Sequence, residues 1–180
     1  MGLARAQVRA VILEADRGKL FDRVRSRGKA SGVVFMRPDF GEPYGADFAG
    51  HPAHMSAIDF VLWRRLRARG DLVFDRVFFD VAVGRGVDSA PDVAAGIRAA
   101  WARLTRLRID VVSESASVWT LVEIRGAAGP GAIGSLLTYR SLWRDDPPDD
   151  RPVNLVLVTD LFPENLLPVL AEFSILLLVV

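Results

Sequence analysis

Two acidic residues and one arginine interrupt stretches that are otherwise apolar. Asp110 lies within the apolar run 108–112, Glu123 lies within the run 118–125, and Arg125 follows Glu123 by two positions. Because side chains alternate between the two faces of a strand, Glu123 and Arg125 point to the same face. An aspartate and a glutamate that converge offer the oxygen ligands that hard cations such as Mg²⁺ prefer. The pattern indicates either a metal site or two acids that are neutralised by neighbouring arginines.

The elements around these residues predict a hairpin followed by a helix. A Ser-rich turn separates the two apolar runs, which is typical of a β-hairpin. The connector from Gly126 to Gly131 then leads into a helix predicted over residues 132–144. Ser135 and Tyr139 are one turn apart on this helix and share a face. We expect Tyr139 either to touch a substrate or to pack on the sheet.

This arrangement resembles the PD-(D/E)XK nuclease superfamily over residues 57–160. In that superfamily an Asp lies on one strand and a Glu/Asp-x-Lys on the next, and the following helix often carries a Gln and, a few residues later, a Tyr. The matching residues are Asp110, then Glu123-Ile124-Arg125, then Ser135 and Tyr139. The chain departs from the pattern at two places, because Arg125 stands where the family has Lys and Ser135 where many members have Gln.

The resemblance implies an α/β (α+β) fold with a three-layer restriction-endonuclease-like core, in which helices flank a central mixed sheet. It also implies hydrolysis of DNA phosphodiesters, with Asp110 and Glu123 as ligands of Mg²⁺ or Mn²⁺. Asp110, Glu123 and Arg125 would be the catalytic residues, and Ser135 and Tyr139 would lie near the substrate. Arg125 can stabilise negative charge on a phosphate because it is always cationic, but it cannot accept a proton.

The two departures favour a second hypothesis. The chain would be a catalytically degenerate nuclease-fold module that serves as a structural or assembly component, for example a phage virion protein at the head–tail junction or neck. A third interpretation is that the likeness extends to the sheet topology alone, because one fold can host many functions. We expect the protein in the cytoplasm, or in the virion if a phage encodes it.

The composition is that of a folded chain, with 51% hydrophobic residues and a formal net charge of +1. The absence of cysteine excludes disulfides, thiolate metal sites and cysteine nucleophiles. The near-neutral charge gives no electrostatic argument for nucleic acid. Basic residues concentrate at residues 5–29 and 64–69, which are either solvated helix faces or a phosphate-contacting surface, so DNA is a possible partner. No apolar stretch reaches the ~18 residues of a membrane span, so we expect no membrane partner.

The chain divides into an N-terminal helical and irregular extension at residues 1–50 and an α/β domain at residues 51–180. We expect residues 1–50 to pack either on a neighbour, which is a protein partner or a second copy, or on the core of the domain. Ser56 is a predicted N-cap with Asp59 as a weaker capping-box acid, and Gly70 is predicted to end the same helix. Asp80 is either a third acid near the site or an outward-facing residue. Helices are predicted over residues 57–68, 91–107, 132–144 and 163–173, and strands over residues 72–83, 108–112, 118–125, 153–158 and 175–180.

Overall fold

Six strands form one mixed sheet, and their order in space is their order along the chain. The computed structural model describes residues 36–87 and 92–180. The elements are β1 (Tyr44–Gly45), α1 (Ala57–Arg69), β2 (Arg76–Val83), α2 (Ala95–Leu104), β3 (Leu107–Glu114), β4 (Trp119–Ala127), α3 (Pro130–Asp145), β5 (Val153–Leu161), a 3₁₀ turn (Glu164–Leu166), α4 (Leu167–Glu172) and β6 (Ile175–Val179).

The sheet changes from antiparallel to parallel at β4. Strands β1 to β4 pair antiparallel with their neighbours, whereas β4, β5 and β6 run parallel. A parallel connection needs a long crossover, which α3 supplies between β4 and β5. The apolar run from Leu155 to Val158 is buried throughout, as expected of a strand that is covered on both faces.

Two hydrophobic clusters lie on opposite faces of the sheet and make three layers. Helix α3 packs against one face through Ile133, Leu136 and Trp143, and helix α1 packs against the other through Leu62, Trp63 and Leu66. Strand β4 serves both clusters, since Leu121 belongs to the first and Val122 to the second. The sequence-based expectation of a central mixed sheet between helices is confirmed.

Helix α1 begins and ends at the predicted signals. The side chain of Ser56 accepts a hydrogen bond of 3.2 Å from the backbone N–H of Asp59, which satisfies one free donor of the first turn. Gly70 follows the helix with a φ of 67°, the left-handed conformation that glycine adopts without a steric penalty.

Several boundaries differ from the predictions. Strand β2 begins at Arg76 and not at residue 72, and the helix predicted over 91–107 spans Ala95–Leu104, because the chain has already entered β3 at Leu107. The helix predicted over 163–173 is divided into a 3₁₀ turn and α4. Residues 88–91, which include the predicted start of α2, lie outside the described residues.

The loop that precedes helix α2 lies against that helix. Gly86 has a φ of 74°, and a Cβ atom there would lie 1.8 Å from the carbonyl oxygen of Ala102, so the loop passes directly beneath the helix. The backbone N–H of Val87 donates to Oγ1 of Thr105 at 2.7 Å. Ile97, Trp101 and Leu104, which recur at helical spacing on α2, are at least half exposed.

Part of the predicted extension contributes to the sheet. The compact unit that contains the described residues runs from Val34 to Val180. Within it, Tyr44 pairs with Val77, and the ring of Phe40 packs 5.2 Å from that of Trp119 between ring centroids. Residues 1–35, the remainder of the predicted extension, lie outside the described residues. None of the described helices is long and apolar enough to cross a bilayer.

Candidate functional site

Strands β3 and β4 separate at the level of Asp110 and Glu123. Their ladder ends with the pair Val111 and Val122, and one further step in the same register would set Asp110 opposite Glu123. At that point Oδ2 of Asp110 accepts a hydrogen bond of 2.8 Å from the backbone N–H of Ile124. The carboxylate therefore replaces a backbone carbonyl as the partner of a peptide group in the middle of the sheet.

The guanidinium of Arg125 joins the two acids. Its Nη2 lies 2.7 Å from Oε1 of Glu123, and its Nη1 lies 3.1 Å from Oδ2 of Asp110. Nη1 also donates to the carbonyl of Ile124 at 2.7 Å, which fixes the orientation of the guanidinium. The structure thus brings the three predicted catalytic residues together, with a cation already between the carboxylates.

Glu123 is the most deeply placed member of the site. It is 0% exposed, whereas the side chains of Asp110 and Arg125 are 25% and 42% exposed. Burial, followed by repulsion from Asp110, raises the pKa of Glu123 to about 7. Arg125 opposes this shift. A buried carboxylate without full compensation holds its proton more tightly, so Glu123 titrates close to neutral pH.

Helix α3 supplies two hydroxyl groups to the buried acid. Ser135 and Tyr139 lie close enough to Glu123 for their hydroxyls to favour its charged form and to lower its pKa. Within the part of the chain that the structure describes, however, neither oxygen of Glu123 accepts a well-aligned hydrogen bond. Tyr139 is buried, and burial together with the charge of Glu123 raises the pKa of its phenol. Tyr139 therefore both packs on the sheet and faces the acid.

Burial also acts on the other two charged groups of the site. It raises the pKa of Asp110 above its ordinary value, although the hydrogen bond from Ile124 and the charge of Arg125 oppose this shift. Burial lowers the pKa of Arg125, but attraction to Asp110 and Glu123 outweighs this effect and leaves that pKa above its usual value. The charged forms of Arg125 and its acidic partners stabilise each other.

A third acid, Asp80, lies across from Asp110 on β2. The pairs Phe79–Val111 and Val81–Ile109 flank these two residues in the antiparallel register. Asp80 has a φ of 56°, a left-handed conformation that is uncommon for a residue other than glycine. Its Oδ2 lies 2.5 Å from Nη1 of Arg108.

The backbone change at Asp80 also changes which face the neighbouring side chains occupy. Phe79 and Val111 pack with the cluster under α1, whereas Val81 and Ile109 pack with the cluster under α3. Asp80, Asp110 and Glu123 thus form a row across three adjacent strands. In the sequence Asp80 stands out only as an acid within an apolar run, and this pattern does not predict its backbone conformation.

A cleft of about 250 Å³ opens beside this row. Its wall combines aromatic and acidic side chains, and it is lined by Phe40, Gly41, Glu42, Tyr44, Pro52, Ala53, His54, Met55, Asp59, Phe79, Asp80 and Asp110. The charge of Asp59 raises the pKa of Asp110, so Asp59 belongs to the electrostatics of the site. Sequence reasoning gave Asp59 a capping role alone, because nothing in its position on α1 points to β3.

The donor set does not fit Mg²⁺ in this arrangement. Among residues 36–87 and 92–180, no three histidine, aspartate or glutamate side chains are grouped to hold a metal ion. The two predicted ligands, Asp110 and Glu123, are both bound to the guanidinium of Arg125. A divalent cation between them would meet that positive charge at short range, and the repulsion would oppose its binding.

Comparison with protein-family models, with curated proteins and with solved structures gives no match. The fold and the acid pair are therefore interpreted from the residues themselves.

Proposed function

We propose that this chain is a nuclease-like domain without catalytic activity, in which Arg125 takes the position of a catalytic cation and the domain serves as an assembly component. The observation that carries the proposal is the double contact of one guanidinium with Asp110 and Glu123. A phosphodiesterase of the expected type needs both carboxylates free to bind its metal. In this chain the positive charge between the two carboxylates belongs to a side chain, that of Arg125, instead of a metal ion.

Electrostatics support this interpretation. Glu123 is wholly buried, so its charged form needs a partner that stays in place. Arg125 meets that need at any physiological pH because a guanidinium does not deprotonate. The acid pair therefore resembles a structural element that holds β3 and β4 together beyond the end of their ladder.

An assembly role is supported by apolar surface away from the acid pair. Helix α2 exposes Ile97, Trp101 and Leu104 on one face, and an apolar stripe of this kind commonly marks a contact with another protein. The departures of Arg125 and Ser135 from the nuclease motif also support a role in assembly over catalysis. A structural component of a phage virion is one example of such a role.

The test is cleavage of linear and circular DNA with Mg²⁺ or Mn²⁺ by wild type, Arg125→Lys and Glu123→Ala. We expect no cleavage by wild type. Cleavage by Arg125→Lys alone would identify Arg125 as the residue that blocks an otherwise complete site. Cleavage by wild type that Glu123→Ala abolishes would overturn the proposal and establish the enzyme.

One observation favours metal-dependent hydrolysis of DNA as a second candidate. Asp110 lines the cleft beside the acid row, and the side chain of Arg125, which contacts Asp110, is 42% exposed. A long arginine side chain at a surface can rotate away, which would free both carboxylates for Mg²⁺ or Mn²⁺. The same cleavage assay separates the two candidates, because only this one expects activity from wild type.

A further inference from the structure

Strand β6 forms an open edge of the sheet. It lies at one end of the strand order, and no other strand of the described residues pairs with its outer side. The opposite edge is β1, which has only two residues. A five-residue strand whose outward peptide groups pair with no other strand of the described residues is a template for another strand.

The direction of the free peptide groups follows from one hydrogen bond. The N–H of Val180 donates to the carbonyl of Thr159 at 3.0 Å, so Val180 turns its N–H toward β5. Peptide groups alternate in direction along a strand, so Leu176 and Leu178 also turn inward. Ile175, Leu177 and Val179 therefore turn theirs to the open edge. The guanidinium of Arg69 binds the outward carbonyl of Val179.

Strand β6 itself lacks the features that normally prevent pairing, and the charged group that reaches its edge near the end is Arg69 of α1. Residues 175–180 include no charged residue, proline or glycine. The register with β5 continues without a bulge from the pair Leu155–Ile175 to the pair Thr159–Val179. Leu176 and Val179 are nearly half exposed on the two faces of the strand. Natural edge strands usually carry a lysine, a proline or a bulge at such a place.

We propose that β6 pairs with β6 of a second copy, antiparallel about a twofold axis, so that the two sheets join into one. A strand added here must be apolar on both faces, and β6 has that pattern itself. A register centred on Leu177 sets Ile175 opposite Val179 of the partner, and every cross-strand pair is apolar. The twofold arrangement is isologous and closes after two copies.

Two arginines of α1 lie at the end of β6. Arg65 and Arg69 bind the carbonyls of Val180 and Val179, and they form ion pairs with Asp160 and Asp71. A carbonyl oxygen has two lone pairs, so that of Val179 can accept from Arg69 and from the N–H of a second strand. This surface is independent of the acid pair and of whether that pair is catalytic.

The test is the molar mass of the full chain over the micromolar range, measured by light scattering for wild type, Leu177→Pro and Leu177→Ala. Both variants lose the same side chain, but only proline removes the outward N–H. We expect dimers of wild type and Leu177→Ala and monomers of Leu177→Pro. A monomeric wild type, or a Leu177→Pro dimer, would overturn the proposal.

Hydrogen exchange on wild type supplies a measurement that needs no variant. We expect the amides of Ile175 and Leu177 to exchange slowly at concentrations where the chain is dimeric and faster on dilution. The amide of Leu178, which faces β5, is the internal control and is expected to stay protected. Equal and rapid exchange of the Leu177 amide at all concentrations would contradict edge pairing.

Discussion

Nη2 of Arg125 lies 2.7 Å from Oε1 of Glu123, an acid with no exposed surface. Such a pair contributes little net stability when intact, because both groups lose hydration, but it is costly to break from one side. Arg125 also holds Asp110, so removing this one arginine leaves two carboxylates facing each other across the gap between β3 and β4.

Removing the arginine should therefore destabilise the fold through Glu123. We expect Arg125→Gln to lose about 2–3 kcal/mol of unfolding free energy near neutral pH. This loss is smaller than for most broken buried ion pairs, because Arg125 is partly exposed to solvent. The double variant Arg125→Gln/Glu123→Gln should recover most of this loss. Urea unfolding of the single and double variants measures both values, and a double variant no more stable than Arg125→Gln would refute the coupling.

Glu123 should make stability depend on pH. Its pKa is about 7 in the fold, against an ordinary 4.5, so the folded chain holds the proton more tightly than the unfolded chain. The resulting stabilisation is fully present below about pH 4.5 and is lost as the pH rises through about 7, on the order of 3 kcal/mol. We expect the melting temperature of wild type to fall across this window more steeply than that of Glu123→Gln. If the melting temperatures of the two proteins fall equally with pH, the result would count against the raised pKa of Glu123.

The hydrogen bond from Ile124 to Asp110 should be detectable at a single amide. Asp110→Leu leaves the N–H of Ile124 without an acceptor in a buried position, which costs about 1–3 kcal/mol. Asp110→Asn is the matched control, because its amide oxygen can still accept. We expect amide hydrogen exchange at Ile124 to accelerate in Asp110→Leu and to change little in Asp110→Asn. Similar rates in the two variants would show that the carboxylate is not the acceptor.

The left-handed backbone at Asp80 predicts an unusual order of variants. Asp80→Gly loses the ion pair with Arg108 but removes the steric strain, so we expect its stability within about 1 kcal/mol of wild type. Asp80→Val places a β-branched side chain at a φ of 56° and should lose about 2 kcal/mol or more. Chemical denaturation of both variants measures the order. If Asp80→Val is more stable than Asp80→Gly, the result would contradict the left-handed backbone at residue 80.

The sequence predicted much of this fold because its local signals agree with its packing. Ser56 and Gly70 bound α1 as their capping chemistry predicts. The alternation in β4 correctly set Glu123 on the face opposite Val122, since a strand has a fixed period of two. These features depend on neighbours in the sequence.

Other features depend on contacts that no local pattern contains. The spacing of Glu123 and Arg125 allows both a metal site and an ion pair, and only the side-chain geometry distinguishes them. Periodicity found the apolar face of α2 at Ile97 and Trp101, but it does not say whether another element covers that face. The left-handed conformation of Asp80 lies inside a strand, where the residue types along the chain do not mark it.

The agreement between strand order in the sheet and strand order in the chain has a consequence for synthesis on the ribosome. Each of the six described strands adds to the outer edge of a sheet that the preceding ones have already formed, and none of the six has to insert between two paired strands. Pairing therefore proceeds by successive chain closures between neighbours in the sequence, which favour rapid folding. The polypeptide can assemble this sheet progressively while translation continues, and β6 joins after the other five described strands.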